Sequence, residues 1–437
     1  MSARGTYWVT TWGCQMNELD AERAAGQLRA RGYERARALE VADVALFMTC
    51  SVREKAEAKV LSALSALKGA RRANPDLVVG VLGCVAEQEG QAILDRSPVA
   101  DIVVGPRQIE RLGELVDDVR RSRARAVATG FAELDYEPSR IERTPGVRAR
   151  VTIMEGCDFR CTFCVVPNTR GPEACRDPER ILEEIRDLGE RGFREVLLLG
   201  QTVNAYRRGG VSFPELLARI DAMGVVPRVK FVSSHPLHFT RELALAMKGA
   251  RTLLPWVNLP VQSGSDRVLK RMKRLYTAEQ FLERVAWLRE ALPNAGLSTD
   301  VIVGFPGETE RDFVATLDLV DRAGFDSMYT FNYSPRPRTP ALKLPDDVPQ
   351  EEKSRRLQVV NDRQREIQRR KNAALIGSIQ QVLIDEVDDG VVRGRTTCQR
   401  VVSLAGGPDP AELLGAIVPL RIVAAGVHGL AGERLPT

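Results

Sequence analysis

The chain has 437 residues, with 63 Lys and Arg, 58 Asp and Glu, eight Cys and three His. A chain of this length is too long to fold around a single hydrophobic core, so two or three domains are expected. A composition of 44% hydrophobic and 28% charged residues excludes a disordered, collagenous or disulfide-stapled chain. No run approaches the roughly 18 apolar residues of a membrane span, and residues 1–10 contain no apolar signal segment. We therefore expect a reducing, cytoplasmic location without a membrane partner, where sulfur rather than histidine holds any metal.

Strands and helices alternate over the first hundred residues, which predicts a parallel α/β domain over residues 4–119. The predicted strands are Thr6–Thr11, Val41–Thr49, Leu77–Cys84 and Val99–Gly105. The predicted helices are Leu19–Gly32 and Glu54–Gly69. The arginine-rich segment 120–145 is expected to be a linker.

The alternation restarts after Arg148 and gives six strand–helix repeats, which predict a partial TIM-type barrel over residues 143–373. The predicted strands are Arg150–Met154, Val196–Gly200, Arg228–Ser233, Trp256–Pro260, Gly296–Val303 and Ser327–Tyr333. The predicted helices are Pro178–Arg191, Phe213–Met223, Arg241–Lys248, Asp266–Lys273, Thr277–Leu292, Glu310–Ala323 and, after the last repeat, Glu351–Ala374. In such barrels the carboxyl ends of the strands carry the chemistry.

Short alternating strands with glycine-bearing turns follow, which predict a small β-barrel over residues 376–437. These strands are Gln380–Glu386, Gly390–Thr396, Arg400–Leu404 and Ala416–Ala424. The predicted fold class is thus a multidomain α/β protein with a C-terminal β-barrel.

Three cysteines, Cys157, Cys161 and Cys164, form a C-x-x-x-C-x-x-C motif directly after a predicted barrel strand. Three thiolates can hold three irons of a cubane cluster and leave the fourth iron open for a ligand. Zinc is the competing metal, although structural zinc prefers four ligands and no spaced fourth ligand follows.

Cys14, Cys50 and Cys84 each stand at the end of a predicted strand in the first domain. The carboxyl ends of parallel strands share one sheet edge, so the three thiols can converge on one point. Buried thiols are the plainer interpretation. The shared placement favours a second cluster, whereas Cys175 and Cys398 receive no role.

The stretch Glu155–Gly171, with its three cysteines and Thr169-Arg170-Gly171, resembles the radical SAM enzymes, and among them the methylthiotransferases. Further matching stretches run in order along the whole chain: Gly13–Asn17, Cys50–Lys55, Gly83–Glu89, Leu199–Tyr206, Leu259–Ser265, Asp300–Glu308 and Tyr333–Pro340. The chain looks most like the tRNA methylthiotransferases of the MiaB type. It departs from the family pattern at four positions: Met48 for a usual Asn, Thr202 for Asn, Cys175 for Ser and Arg338 for Gly.

The resemblance implies two [4Fe-4S] clusters, with S-adenosylmethionine (SAM) docked on the cluster of Cys157, Cys161 and Cys164 and the sulfur-carrying cluster on Cys14, Cys50 and Cys84. It implies addition of a methylthio group to C2 of N6-isopentenyladenosine next to the anticodon. The expected partners are the anticodon stem-loop of a tRNA and an external electron donor, and a monomer is expected. The SAM-contact candidates follow barrel strands: Gly200, Gln201, Asn204, Gln262, Ser263, Asp300, Gly304 and Arg336. Arg170 and Arg336 are expected to meet a phosphate or the SAM carboxylate.

Three alternatives stay open at this point. Relatives methylthiolate an aspartate of a small-subunit ribosomal protein or a threonylcarbamoyladenosine of tRNA, and a non-enzymatic iron–sulfur RNA-binding protein is the third possibility. The C-terminal barrel resembles the RNA-binding TRAM module, yet from Gly377 it holds five Arg and seven acidic residues. The basic segments Arg267–Arg274 and Glu351–Lys371 are therefore predicted to supply more of the RNA-backbone contact.

Overall fold

The computed structural model describes residues 4–51, 56–388, 390–404 and 410–435. The N-terminal unit is a six-stranded sheet in the order β2-β1-β3-β4-β5-β6, and its neighbouring strands pair in parallel. Its strands are β1 (Gly5–Trp12), β2 (Tyr33–Arg35), β3 (Val44–Thr49), β4 (Val78–Gly83), β5 (Ile102–Val104) and β6 (Ala126–Ala128). Its helices are α1 (Gln15–Arg29), α2 (Ala56–Ala73), α3 (Cys84–Glu89), α4 (Gln91–Arg96) and α5 (Leu112–Ser122). Strands β3, β4 and β5 are buried throughout, as the continuous apolar runs predict for a parallel sheet covered on both faces.

The linker prediction for residues 120–145 is wrong in two places. β6 extends the sheet by pairing with β5, and Leu134, Tyr136 and Ile141 are buried in a cluster against Leu199 of the second domain. This burial comes from packing against two neighbouring domains. It therefore leaves no helical or strand periodicity in the sequence of the segment, and the prediction could not detect it. The prediction also missed β2, which is only three residues long.

The central domain is a partial barrel of six parallel strands in two three-stranded sheets, β13-β10-β7 and β14-β15-β16. A parallel bridge from Val229 to Leu253 lies between them. The domain's strands are β7 (Arg148–Thr152), β8 (Met154–Glu155), β9 (Ala174–Cys175), β10 (Glu195–Leu199), β11 (Arg207–Arg208), β12 (Val211–Ser212), β13 (Arg228–Phe231), β14 (Trp256–Asn258), β15 (Gly296–Val303) and β16 (Ser327–Asn332). Its helices are α6 (Val166–Thr169), α7 (Pro178–Glu190), α8 (Phe213–Met223), α9 (Arg241–Gly249), α10 (Asp266–Arg271), α11 (Ala278–Ala291), α12 (Glu310–Ala323) and α13 (Gln350–Ala373).

The predicted barrel helices are confirmed to within a few residues because their ends are marked by local chemistry. Asp177 caps α7 ahead of Pro178, and capping boxes begin α8, α11 and α12 at Ser212, Thr277 and Thr309. One apolar core lies between the strands and these outer helices.

The C-terminal unit is a closed barrel of five strands, β17-β18-β19-β21-β20. These strands are β17 (Ile379–Asp388), β18 (Val391–Arg395), β19 (Val401–Leu404), β20 (Ile417–Ala425) and β21 (Leu430–Arg434). The prediction missed β21, which closes the barrel by pairing with both β19 and β20. No helix in the described ranges is long and apolar enough to cross a membrane.

The two flanking units pack on opposite ends of the central barrel. The C-terminal barrel meets the amino ends of the strands, where Arg228 donates to the carbonyls of Gln381 and Arg395. The N-terminal sheet presents its own carboxyl edge to the loop after β7, where Arg107 donates to the carbonyl of Glu155 at 2.9 Å. The predicted chemical ends of both sheets therefore face each other.

Candidate functional site

The three N-terminal cysteines converge at the carboxyl edge of their sheet. Cys14 precedes α1, Cys50 follows β3, and Cys84 begins α3. Cys14 is hydrogen-bonded to Cys50, and the thiols of Cys14 and Cys84 lie 3.6 and 4.0 Å from the same amide oxygen, Oδ1 of Asn17. The sequence prediction of one meeting point is thus matched by the geometry of these three strand ends.

Asn17 and Thr49 tie those strand ends together. The Asn17 amide donates to the carbonyl of Thr49, and the Thr49 hydroxyl donates to the carbonyl of Leu82 at 2.7 Å. Gly83 adopts φ +94°, and a Cβ there would stand 2.5 Å from the Thr49 carbonyl oxygen. Only glycine therefore allows β4 to approach β3 closely enough to bring Cys84 to Cys50. The rest of the matching stretch after Cys50, residues 52–55, lies outside the described residues.

The second trio occupies the loop after β8. The Cys157 backbone N–H donates to the carbonyl of Gly171, and that of Cys164 donates to Cys161, each at 3.1 Å. The Thr202 hydroxyl lies 3.4 Å from Cys157 Sγ, at a position where the resembling family usually has Asn. Thr162, between Cys161 and Cys164, is held by the carbonyls of Arg271 and Met272.

A buried arginine accompanies each trio, and the sequence did not predict either placement. Arg274, which belongs to a basic segment predicted to contact RNA, is 6% exposed and donates to Cys161 Sγ at 3.5 Å and to the Tyr276 hydroxyl at 2.9 Å. Arg170, predicted to meet a phosphate or the SAM carboxylate, is 2% exposed and paired with Asp20 and Glu155. The interpretation of both residues fails because burial follows from the packing of distant loops, which charge patterns along the chain do not report.

The basic segment predicted to contact RNA is largely engaged within the protein. Arg267 pairs with Asp312, and Arg271 donates to the Pro306 carbonyl at 3.1 Å. On α13, Arg356 is buried and donates to the carbonyl of Glu308 at 3.0 Å. At these positions the clustered charges therefore mark contacts of α10 and α13 with the start of α12 and the loop before it.

The thiols have strongly altered acidities. The hydrogen bond from Cys50 is the main cause that lowers the pKa of Cys14 to about 6, and the backbone N–H groups of Met16 and Asn17 add to it. Burial raises the pKa of Cys84 although Arg170 opposes it. Burial also raises the pKa of Cys157, and that of Cys164 to about 12. Thiols of this kind gain most from a bound metal, because coordination stabilises the thiolate that burial disfavours.

The two trios have the donor chemistry that iron–sulfur clusters use, three cysteine thiols each. In the described part of the chain, no group of three His, Cys, Asp or Glu side chains is arranged to hold one metal ion. A cubane spreads its ligands over separate irons, so its thiolates stand farther apart than around one ion. Each donor set is all sulfur, and the Arg170 and Arg274 guanidinium groups supply positive charge beside an anionic cluster.

The predicted SAM contacts after β10 are close to the barrel trio, and two of them bond to protein groups. The Gln201 side chain accepts from the backbone N–H of Gly156, next to Cys157. The Asn204 amide is bound on both sides by His235, donating to its carbonyl at 2.9 Å and accepting from its N–H at 2.8 Å. A Cβ on Gly200 would stand 2.6 Å from Met154, so this glycine serves close packing.

The candidates that follow β14, Gln262 and Ser263, differ in environment from Asp300 on β15. Gln262 adopts φ +71° and bridges to β15 through the backbone of Asp300. Ser263 is buried, 3.4 Å from the Thr316 hydroxyl of α12. Asp300 faces the barrel interior, where burial raises its pKa to about 6 although the Asn258 amide donates to it at 3.3 Å.

The last two candidates lie in the loops after β15 and β16. Gly304 adopts φ +68°, and a Cβ there would stand 2.3 Å from Lys353 of α13. Arg336 is partly exposed, and its carbonyl accepts from Thr339 at 2.7 Å. Arg338, at a position where the family usually has Gly, adopts φ +61°, so the backbone keeps a conformation that favours glycine.

Sequence reasoning also missed a stacked pair beside the barrel trio. Phe159 lies face to face with His235, with ring centroids 3.9 Å apart. Burial lowers the pKa of His235 to about 2, so its imidazole is neutral. The pair fixes the loop between Cys157 and Cys161, and the low histidine count gave no signal of it.

The remaining two cysteines lie apart from both trios. Cys175 is partly buried in β9, and Cys398 donates to the Asn294 carbonyl at the amino end of the barrel. All eight cysteines are thiols, with no disulfide among them.

Comparison with known proteins decides the family. The model of the Radical SAM superfamily matches residues 151–320, and that of Uncharacterized protein family UPF0004 matches residues 6–105. A tRNA-2-methylthio-N(6)-dimethylallyladenosine synthase from Solibacter usitatus is 42% identical over 98% of this chain and 97% of its own length. One of the same name from Syntrophobacter fumaroxidans is 45% identical over 98% and 95%. The chain belongs to this synthase family.

Solved structures support the fold of the synthase family member described here. The radical S-adenosylmethionine methyltransferase TsrM from Kitasatospora setae has a TM-score of 0.57 at 14% identity, over 77% of this chain and 75% of that one. The cobalamin-dependent S-adenosylmethionine radical enzyme OxsB has a TM-score of 0.55 over 82% of this chain and 56% of that one. At such identities the likeness establishes the architecture alone.

Proposed function

We propose that this chain adds a methylthio group to C2 of N6-isopentenyladenosine next to the anticodon of tRNA, using SAM and two [4Fe-4S] clusters. In this proposal Cys157, Cys161 and Cys164 hold the SAM-binding cluster. Cys14, Cys50 and Cys84 hold the second cluster, which carries the sulfur.

The observation that carries the proposal is the meeting of two three-thiol sites from different domains. The cysteine loop of the barrel is bonded to the N-terminal sheet edge by Arg107, which donates to Glu155, and by Arg170, which donates to Asn17. Three thiols at each site leave one iron of each cluster open. A closed electron carrier would need four protein ligands at each site, so the paired open sites favour an enzyme over a carrier.

The reaction divides between cofactor chemistry and the work of the protein. SAM and the barrel cluster would supply one-electron chemistry able to activate an aryl C–H bond, which aqueous acid–base chemistry cannot easily do. The chain's own residues position the cysteine loop. Phe159 stacks on His235, and the Gln201 side chain accepts from the Gly156 backbone N–H. Arg274 and Arg170 keep positive charge beside the two thiol sets.

Two exposed aromatic side chains support a nucleobase substrate. Tyr329 and Phe331 of the edge strand β16 are 59% and 52% exposed. Thr330 between them bonds to Asn361 of α13, so the aromatic rings lie on the opposite face, in register with Asp300 and Ile302 of β15. Aromatic rings at the open edge of a barrel offer a stacking surface for an unpaired base of an anticodon loop.

The full-length relatives favour isopentenyladenosine as the substrate over a ribosomal-protein aspartate and over threonylcarbamoyladenosine. Relatives that match this chain over 95% or more of their own length carry the synthase name. The Tyr333–Pro340 stretch that resembles the tRNA enzymes contacts the segment after the barrel cysteines, where the Asn168 amide donates to the Arg338 carbonyl at 3.0 Å.

A direct assay tests the proposal. The protein is reconstituted anaerobically, its iron and sulfide are measured, and SAM, a reductant and tRNA carrying isopentenyladenosine are added. We expect a mass gain of one methylthio group on that base. Product on a ribosomal protein alone would contradict the substrate, and iron for one cluster with Cys14, Cys50 and Cys84 open to alkylation would contradict the second cluster.

A further inference from the structure

One buried side chain joins the two cysteine trios. Arg170 Nη2 donates to Asn17 Oδ1 at 2.9 Å and lies 2.7 Å from Asp20 Oδ2, both on α1 of the N-terminal domain. Its Nη1 donates to Glu155 of the barrel loop at 2.7 Å. The next residue, Gly171, accepts the backbone N–H of Cys157. Two consecutive residues thus reach both trios: Arg170 bonds to Asn17 beside the N-terminal thiols, and Gly171 bonds to the backbone of Cys157.

The N-terminal thiols lie one amide away from this guanidinium. The Asn17 oxygen that accepts from Arg170 is the oxygen that faces Cys14 Sγ at 3.6 Å and Cys84 Sγ at 4.0 Å. Asn17 is fully buried, as are Asp20 and Glu155 to within 1%. Water cannot screen a charge in such surroundings, so its effect on neighbouring groups is large.

We propose that Arg170 is a positioning residue that holds the N-terminal trio against the barrel loop and raises the reduction potential of the cluster on that trio. The inference rests on the proposed function, since it requires a cluster on Cys14, Cys50 and Cys84. Reduction adds one electron to a buried cluster, and a fixed positive charge nearby stabilises the reduced form more than the oxidised form. Removing the guanidinium would leave the charges of Asp20 and Glu155 less compensated, which lowers the potential further.

Arg23 provides a matched control. It is 4% exposed, and it binds the same Asp20 at 3.0 Å and Glu110 at 3.2 Å. Its removal disturbs the same domain and the same carboxylate while Arg170 and Asn17 keep their contact. A general weakening of the domain would therefore affect R23Q as much as R170Q, whereas an electrostatic effect on the thiol site would not.

The test uses the full chain carrying C157A, C161A and C164A, so that one cluster remains, reconstituted anaerobically. Iron and sulfide are measured, and the midpoint potential is obtained by a titration followed by electron paramagnetic resonance. We expect R170Q to lower the potential, R23Q to lower it by much less, and R170K, which keeps the charge, to restore most of it. Equal potentials in the parent and R170Q, or equal shifts in R170Q and R23Q, would overturn the proposal.

Loss of the cluster is also informative. If R170Q retains no iron, R170K decides: a loaded R170K with the parental potential supports the proposal, and an empty R170K overturns it, because packing rather than charge then explains the loss. A parent without any cluster would overturn the inference and the second cluster of the proposed function together. An unchanged potential with full loading leaves the proposed function intact.

Discussion

The two ends of the central barrel are both rich in buried charge, yet they use it differently. At the amino end, Glu195 is fully buried between Lys230 at 2.7 Å and Arg148 at 3.0 Å, and these cations also bond to the C-terminal barrel. At the carboxyl end, Arg274 donates to Cys161 Sγ. Arg170 is paired with Asp20 and Glu155, and it also donates to the Asn17 amide oxygen that faces two of the N-terminal thiols. The ion pairs at the amino end hold the C-terminal barrel in place. The guanidinium groups at the carboxyl end also set the electrostatic environment of the thiols and of a cluster bound by them.

The largest expected contrast concerns a cysteine at each end. Cys84→Ala removes a proposed cluster ligand at the carboxyl end and should lower methylthio transfer by more than about 100-fold, beyond the losses typical of residues around a metal site. Cys398→Ala removes a thiol that bonds to the carbonyls of Asn294 and Pro255 at the amino end and should retain activity within about twofold. Turnover per folded protein is the measurement, and equal losses would erase the distinction between the ends.

Glu195→Gln tests whether the buried charges at the amino end of the central barrel contribute to stability alone and not to cluster binding. Burial opposes the charge of Glu195, yet Lys230 and Arg148 outweigh it and lower its pKa. Removing the carboxylate leaves Lys230 without its buried ion-pair partner and Arg148 with Asp385 alone, and it should cost about 3–5 kcal/mol in the free energy of unfolding. Glu18→Gln, at the half-exposed pair with Arg150, should cost less than about 1 kcal/mol. Urea unfolding gives both values, and a loss of bound iron in E195Q would contradict a purely structural role.

Asp300 is the opposite kind of buried carboxyl, because burial outweighs both the Asn258 amide that donates to it and the charge of Arg274, so its pKa is raised. Its pKa is raised from 3.8 to about 6, so the folded state holds a proton that the unfolded chain releases. The stability it contributes is therefore present below pH 4 and is lost as the pH rises through 6. Asp300→Asn should stabilise the protein by up to about 3 kcal/mol at pH 7.5 and by little at pH 4. Urea unfolding at both pH values checks this, and a pH-independent difference would contradict it.

The smallest expected effect concerns the exposed aromatic rings. Phe331→Ala should weaken tRNA binding by about 1–3 kcal/mol, the range for loss of one stacked base, with iron content unchanged. Leu245→Ala, on the outer helix α9 and 61% exposed, is the matched control and should leave the dissociation constant unchanged. Filter binding at fixed salt measures both, and equal affinities for F331A and the parent would remove β16 from the substrate surface.

Local chemistry explains why much of the fold could be predicted. Helices α8 and α12 have their predicted bounds because Ser212 and Thr309 form capping boxes and Gly224 and Gly324 end the helices in the left-handed conformation. The short strands β2, β6 and β21 could not be predicted, since their pairing partners, not their own residues, define them.

The candidate site likewise has residues that the sequence could predict and residues that it could not. The spacing of Cys157, Cys161 and Cys164 within one loop is visible along the chain, and strand ends suggested that Cys14, Cys50 and Cys84 meet. The placement of Arg170 and Arg274 was not predictable, because each becomes buried only when a second loop or domain covers it.

The sequence by itself determined the order of three domains, the two sets of three cysteines and the family resemblance, since these depend on residue spacing and periodicity. The tertiary structure alone decided which end of the barrel each flanking domain covers and which arginines face sulfur. Those contacts join residues far apart in the sequence, 153 positions in the case of Arg170 and Asn17, and they form only where domain packing excludes water and makes pairing of buried charges necessary.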